Sequence, residues 1–283
     1  MTHHPIDEVA ANICLKHGWR LDGFAGSGAF KRVYRCFSPT HGLLALKIIT
    51  SGKVSDVRTE REIQAMLACD HPHIGKLLLL DVVSVSGSEY VYLVESFFDG
   101  GSLTDRINSG MSLDHVKAVA KQLVGALSHT RGKQLVHRDI KPDNIMFDGS
   151  KPLHAVLVDF GLVRDLKAQS LTMSWIPRGP GTPLFAPPEQ LKNEKSLIDW
   201  RSDQYALGVT LSIAGLGIYP YQLDSRDQDL EGMVDRTANR VGPSDFFVEL
   251  ATRQGMEWLI KMTHPWPVNR YRTPEQLISD ISR

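Results

Sequence analysis

The apolar positions of this chain change character partway along. Between residues 21 and 50 the pattern reads as strand, glycine turn, strand, strand, with Leu44-Ala45-Leu46-Lys47 inside an apolar block. Leu77 to Val85 and Tyr90 to Phe98 are strand-like, and Ser86-Gly87-Ser88 between them predicts a hairpin. Gly100-Gly101 then breaks the chain, and from Ser102 onward the period becomes helical. Leu113 to Arg131 is an amphipathic helix with Asp114 near its start, followed by short strands around Ile145–Phe147 and Ala155–Val158. Residues 198–283 read as helices joined by loops. Ahead of the strands, Ile6, Val9, Ala10, Ile13 and His17 share one face of a short helix, which docks either on the body of the domain or on a partner. A further helix is expected over about 56–69, with Ile63, Met66 and Leu67 on its apolar face, ended by His71-Pro72. The pattern predicts an α+β chain: a β-rich part over about 19–97, a connection at about 95–101, a helical part over about 102–283, and a helical extension at 1–18.

Composition narrows the classes. The chain has 283 residues, 42% of them hydrophobic and 23% charged, which suits a globular domain with a sizeable core. Lys plus Arg equals Asp plus Glu at 32 each, so overall charge gives no reason to expect nucleic acid or an anionic membrane as partner. The longest apolar run, Tyr205 to Tyr219, is too short to span a bilayer and predicts a helix buried on all sides. Cys14, Cys36 and Cys69 are odd in number and lack zinc spacing or a disulfide framework, which points to a reducing, cytoplasmic setting. The start has no basic segment followed by an apolar run, so no secretory signal is expected. His3 and His4 read as a solvated terminus, and Asp224, Asp227, Asp229 and Glu231 as a solvated face.

The candidate chemistry is concentrated in His137-Arg138-Asp139-Ile140-Lys141-Pro142-Asp143-Asn144, with Asp159-Phe160-Gly161 a short way on. Together they supply a base for a hydroxyl proton, an ammonium to offset charge, and an amide and a carboxylate suited to a hard cation. Upstream, Gly26-Ser27-Gly28-Ala29-Phe30-Lys31-Arg32-Val33 is a glycine turn whose N–H groups can approach phosphate. Gly23 to Gly28 also has P-loop spacing, but Ala29 stands where that motif needs lysine, which excludes it. Lys47 in its apolar strand wants an anion, and phosphates or a helix carboxylate are the candidates. The long irregular stretch at 162–189 is the kind of segment that carries function.

In this order the motifs resemble the eukaryotic-type serine/threonine protein kinases over nearly the whole chain: the glycine loop, Lys47, HRDIKPDN at 137–144, DFG at 159–161, Gly181-Thr182-Pro183, Pro187-Pro188-Glu189, Asp203 and Arg270. The resemblance implies a bilobal fold, with a small β-rich lobe and a larger helical one. It also implies transfer of the γ-phosphoryl group of ATP to serine or threonine hydroxyls of a protein substrate. On it, Asp139 orients the hydroxyl, Lys141 offsets γ-phosphate charge, and Asn144 and Asp159 hold Mg²⁺. Gly26, Ser27, Gly28, Val33, Ala45, Lys47, Glu62 and Glu95 form the ATP-binding set, with Glu62 rather than Glu60 as the helix carboxylate paired with Lys47. Glu189 is expected to pair with Arg270, Asp203 to anchor the site loop, and Thr182 to contact the site lysine and aspartate. Arg138 implies a loop phosphate, on Ser170, Thr172 or Ser174, placed there by autophosphorylation.

The sequence departs from the family pattern at four places. Lys31 replaces a loop glycine and puts a second ammonium near the phosphate turn, Pro187 replaces an alanine, and Tyr205 replaces a common tryptophan. Either Val94 or Glu95 is the residue that guards the back of the adenine site. Two other functions compete with an active protein kinase: a pseudokinase scaffold, and a kinase-fold phosphotransferase acting on small molecules. The intact Lys47, Asp139, Asn144 and Asp159 argue against the first, and Lys141 with the Gly-Thr-Pro to Pro-Pro-Glu segment argues against the second.

Overall fold

The computed structural model describes residues 5–28, 31–49, 63–160 and 182–283. The chain forms two compact units. One gathers the residues up to Asp70 with Gly75–Phe98; the other gathers His71–Ile74, Asp99–Phe160 and the described residues from 182 on. The expectations for His3 and His4 and for the helix start near residue 56 fall outside the described residues; residues 63–67 are helical.

The first unit is a five-stranded antiparallel sheet built from β1 (Arg20–Gly28), β2 (Lys31–Ser38), β3 (Gly42–Ile49), β4 (Leu77–Val85) and β5 (Ser88–Ser96), in the order β1-β2-β3-β5-β4. Ser86 and Gly87, at φ 51° and 80°, make the turn between β4 and β5, the left-handed pair that matches strand twist in a two-residue hairpin. Register divides the side chains between two faces. Leu46 lies opposite Val94 and Ile48 opposite Tyr92, so these four share one face; Ala45 opposite Glu95 and Lys47 opposite Leu93 share the other.

Helix α1 (Pro5–His17) covers the apolar face. Its Ile6, Val9, Ala10, Ile13 and Cys14 are buried against Tyr34, Cys36, Leu44, Leu46, Ile48, Tyr92 and Val94. Polar contacts fix its register. Asp7 accepts hydrogen bonds from the Tyr34 hydroxyl at 2.6 Å and from Arg32 at 3.3 Å. Lys16 meets Asp81 at 2.8 Å, and His17 stacks on Trp19 with ring centroids 4.4 Å apart. Burial, aided by the Asp7 bond, pushes the Tyr34 phenol up to about 12.

The second unit is mostly helical: α2 (Leu103–Ser109), α3 (Leu113–Gly132), the hairpin β6 (Ile145–Phe147) and β7 (Ala155–Leu157), then α4 (Pro188–Leu191), α5 (Trp200–Leu216), α6 (Leu230–Ala238), α7 (Asp245–Arg253), α8 (Trp258–Met262) and α9 (Pro274–Ile281). Its core joins Val119, Leu123 and Leu127 of α3 to Leu207 and Leu211 of α5, with Phe247, Leu259 and Leu277 around them. Ser102 and Asp105 form a reciprocal capping box at the start of α2, and Ser112 caps α3. Helix α5 is buried along nearly its whole length, as its apolar run predicts. The run continues to Tyr219 but the helix stops at Leu216, because Gly217 takes the left-handed C-terminal conformation at φ 70°. Gly100 has a steric reason to be glycine: a Cβ there would lie 2.6 Å from the Phe147 carbonyl oxygen.

Candidate active site

In the second unit, the loop from His137 to Asn144 is held from below by Asp203 of α5. The fully buried Asp203 carboxylate accepts the backbone N–H of His137 at 2.7 Å and of Arg138 at 2.8 Å. Two parallel bonds from one rigid helix fix both position and direction of the loop. Burial pushes the Asp203 carboxyl up to about 7, against the opposite pull of those two N–H groups and the Arg138 charge. The Gln190 amide adds a third hold, donating to the Arg138 carbonyl at 2.8 Å. Arg138 adopts φ 65°, a strained conformation for a non-glycine residue that these bonds sustain.

His137 fastens the loop to the strand beyond it. Its Nε2 lies 3.0 Å from the Val158 carbonyl and its Nδ1 lies 3.3 Å from the Asp139 N–H. One tautomer satisfies both, with the proton on Nε2 and Nδ1 accepting. The ring also packs on Phe160 at 4.4 Å. The fully buried imidazole is thus a structural pin between two segments that carry the chemistry.

The three predicted loop residues converge. Asn144 donates its amide to the Asp139 backbone oxygen at 2.8 Å and to Asp139 Oδ2 at 3.1 Å. Lys141 Nζ stands 3.3 Å from the same Oδ2. Because Asn144 directs its NH₂ at Asp139, its amide oxygen is turned away as an acceptor. Asn144 also brings Asp159 near through the backbone: its carbonyl accepts the Val158 N–H at 2.9 Å. Half-buried Asp159 adopts φ 64°, a second strained non-glycine position. Asp143, by contrast, is exposed and accepts from Thr104 at 2.7 Å, an ordinary surface contact.

An amide oxygen and a carboxylate are hard oxygen donors, and Mg²⁺ takes one or two such protein ligands while completing its shell with water and phosphate. The donor set of Asn144 and Asp159 therefore fits that ion. Among the described residues no cluster of three or more His, Cys, Asp or Glu is placed to hold a metal by itself.

Below the loop, Arg270 and Glu189 form the expected pair, at 2.7 and 3.0 Å, with both side chains fully buried. Ser202 adds a bond to Glu189 at 2.8 Å. Tyr205, the residue in place of the common tryptophan, lies under the Arg270 guanidinium at 4.8 Å from the ring centroid. Pro187 sits in extended conformation just before α4, which opens at Pro188, and its carbonyl accepts the Gln190 N–H at 2.9 Å. A proline there costs no hydrogen bond, which explains why the alanine is replaceable.

The first unit carries the remaining predicted residues. Gly26, Ser27 and Gly28 end β1 opposite Val33, Arg32 and Lys31, after a bulge between Phe24 and Gly26. A Cβ on Gly26 would meet nothing within 4 Å, so the protein's own packing does not demand glycine there. Val33 lies opposite Lys47, and Lys31, opposite Ile49, falls on the Lys47 face.

Lys47 makes a bond that the resemblance does not imply. Its Nζ bonds Glu95 Oε2 at 2.5 Å inside the sheet, with the two side chains 6% and 11% exposed. The resemblance implies Glu62 as partner; Glu62 lies outside the described residues, as do Glu60, Gly161, Ser170, Thr172, Ser174 and Gly181, and of the Thr182 side chain nothing is described. Register explains the observed bond: Glu95 is the diagonal neighbour of Lys47 on one face, while Val94 is buried on the α1 face. Strand alternation gives the face of Lys47, but which residue of β5 lies beside it is set by sheet register, which neither alternation nor the motifs supply. Gln190 and Ser202 were equally silent in sequence, since each acts through a single bond to a residue far along the chain.

In the acidic cluster near residue 224, Asp224, Asp229 and Glu231 are exposed, as a solvated face implies, and Asp227 is half-buried. Asp224 accepts the N–H groups of Arg226 and Asp227, and Asp227 pairs with Arg236 at 2.8 Å. Both carboxylates organise the loop before α6.

A β-sheet unit bearing a glycine turn and a buried lysine, with a helical unit bearing a clamped aspartate, an asparagine and a second aspartate, defines a phosphotransferase domain. A family model described as protein kinase domain matches residues 19–278, and the chain belongs to that family, in its eukaryotic-type serine/threonine branch. It is 34% identical over 189 residues to a probable serine/threonine-protein kinase MARK-C of Dictyostelium discoideum, covering 65% of this chain and 23% of that protein. Over 211 residues it is 31% identical to calcium-dependent protein kinase 5 of Plasmodium falciparum, covering 73% and 35%. The chain thus spans well under half the length of these two curated relatives. Among solved structures, the kinase domain of Mycobacterium tuberculosis PknI superposes with TM-score 0.64 at 22% identity over 94% of each chain. Rad53 residues 1–466 in complex with AMP-PNP gives TM-score 0.66 at 22% identity, over 96% of this chain and 69% of that one. At that identity the likeness is one of fold.

Proposed function

We propose that this domain transfers the γ-phosphoryl group of ATP to serine or threonine hydroxyls of a protein substrate, with Mg²⁺ as the accompanying ion. The observation that carries this reading is the clamp on Asp139. Asn144 and Lys141 both reach its Oδ2, so one carboxylate oxygen is fixed and the orientation of the other is set. That is what a residue aligning an acceptor hydroxyl requires. Lys141 then offsets charge on the transferring group, and Lys47 holds the phosphates preceding it. Asn144 and Asp159 would hold Mg²⁺, which when bound neutralises phosphate charge. Phosphoryl transfer asks the protein mainly for such positioning and charge stabilisation, and the pinned loop supplies both.

A protein acceptor is favoured over a small alcohol by Lys141, and by the buried Glu189–Arg270 pair that braces the segment after Gly181-Thr182-Pro183. We place the domain in the cytoplasm because its three cysteines are odd in number and lack zinc spacing or a disulfide framework, and regard the phosphate implied by Arg138 as one the domain adds to itself. Among the described residues no helix is long and apolar enough to cross a membrane.

The test is ³²P transfer from labelled ATP with Mg²⁺ to casein, myelin basic protein and small alcohols, with phosphosite mapping of the domain itself. Asp139→Asn and Asp159→Asn are expected to abolish incorporation while the far-ultraviolet spectrum is unchanged. Undiminished transfer by Asp159→Asn would show the metal ligands to be elsewhere.

A further inference from the structure

Lys47 and Glu95 come from different strands and are separated by 48 positions, yet they form a buried ion pair at 2.5 Å. We infer that Glu95 is the positioning residue for Lys47: a carboxylate carried on β5 that sets where the phosphate-binding ammonium stands. The inference rests on the kinase reading above and adds a role that the resemblance does not imply, since there the lysine's partner is a helix glutamate.

The geometry makes Glu95 well suited to this. Strand β5 is a central strand, hydrogen-bonded on both sides by β3 and β4, so its backbone is fixed by the sheet. Ala45 lies directly opposite Glu95, and its small side chain leaves room for the carboxylate to reach across to the next same-face position, which is Lys47. Lysine ends in a point charge on a flexible four-carbon stem, so its location is set by what binds it. Both groups are buried, 5% and 8% exposed as residues, where each charge needs the other. Lys31 lies on the same face, one strand away from Lys47 and two positions from the residue opposite it. The Glu95 carboxylate lowers the positive charge on the face that carries both ammonium groups.

A glutamate in this position acts through Lys47, so its removal is expected to alter ATP use and the state of the lysine more than it alters folding. In Glu95→Gln the KM for ATP should rise at least about tenfold, as expected when one partner of a buried charge pair is lost, while the KM for the protein acceptor stays near that of the wild type. Glu95→Asp, which retains the charge, should recover most of that loss. The second readout is independent of activity: acylation of Lys47 by an activated ester at pH 8, followed by mass spectrometry. Without the neighbouring carboxylate more of the amine is uncharged, so Lys47 should label several-fold faster in Glu95→Gln than in the wild type. Glu95→Met fills a similar volume without charge and serves if glutamine prevents folding. A folded neutral variant with wild-type KM for ATP and wild-type labelling of Lys47 would overturn the inference and point to Glu62 as the working partner. A wild-type protein that transfers no phosphate to any acceptor would overturn the kinase reading instead, and the labelling contrast would still report on the pair.

Discussion

Arg270 engages Glu189 through two parallel bonds, and all five of its N–H donors are used. Besides the two to the carboxylate, they reach the carbonyls of His264 at 2.7 Å, Arg201 at 2.9 Å and Pro265 at 3.2 Å. One side chain therefore ties the α4 segment to the start of α5 and to the loop before α9. Lysine has three donors and no fork, so Arg270→Lys leaves buried carbonyls and one carboxylate oxygen without partners. The expected loss is about 2–4 kcal/mol of stability, somewhat below the roughly 3–5 kcal/mol for a broken buried pair because lysine keeps the charge. Urea unfolding measures it; a loss below about 1 kcal/mol would mean that the guanidinium contacts are replaceable.

A chain of histidines gives the second unit a pH dependence. His71 lies 5.7 Å from His73 and 5.4 Å from His129, and His73 lies 4.6 Å from His154. Burial, with neighbouring histidine charge, holds His71 and His73 below the ordinary imidazole value, although the bond from His73 to the Ala155 carbonyl pulls the other way. Above about pH 6.5 folded and unfolded chains are both neutral at these sites, and their contribution is complete. On acidification the unfolded chain takes up protons first, so stability falls from about pH 6.5 down to the folded values and then levels off. The melting temperature of the wild type should drop more between pH 7.5 and 5.5 than that of His71→Asn/His73→Asn. Equal drops would show that these two rings do not titrate differently on folding.

Cys14 on α1 and Cys36 on β2 have their sulfurs 3.3 Å apart, both buried and both reduced. Contact with Cys36 lowers the Cys14 thiol, while the same contact and burial push Cys36 up. With diamide accepting two electrons and two protons, a disulfide should form after a shift of about 1 Å and raise stability by about 3 kcal/mol, as expected for closing a loop of this length. Peptide mapping without reductant detects the crosslink. Failure of diamide to join them in the folded protein would mean that the sheet does not allow the approach.

Much of this fold could be read from local pattern. The hairpin of β4 and β5, the α3 helix and the all-round burial of α5 each follow from a period or an unbroken apolar run within one segment. The loop from His137 to Asn144 was equally legible, because its chemistry is contiguous. The Lys47–Glu95 bond, the Gln190 hold on Arg138 and the Cys14–Cys36 contact were not, because each depends on which face of an element meets which face of another. Odd cysteine number argued against a disulfide framework, yet it carries no information on two sulfurs brought together by helix packing. The acidic residues near 224 are mostly exposed, as composition implies, and what it does not give is the turn geometry that also makes Asp224 and Asp227 acceptors.

The family match begins at residue 19, whereas the apolar side of the sheet is sealed by residues before it. Trimming to the family boundary would lay bare Leu44, Leu46, Ile48, Tyr92 and Val94 together, a sticky stripe of the kind that drives self-association. The folding unit of this protein is therefore longer than its homology unit, and any minimal version meant to stay in solution must keep the helix Pro5–His17.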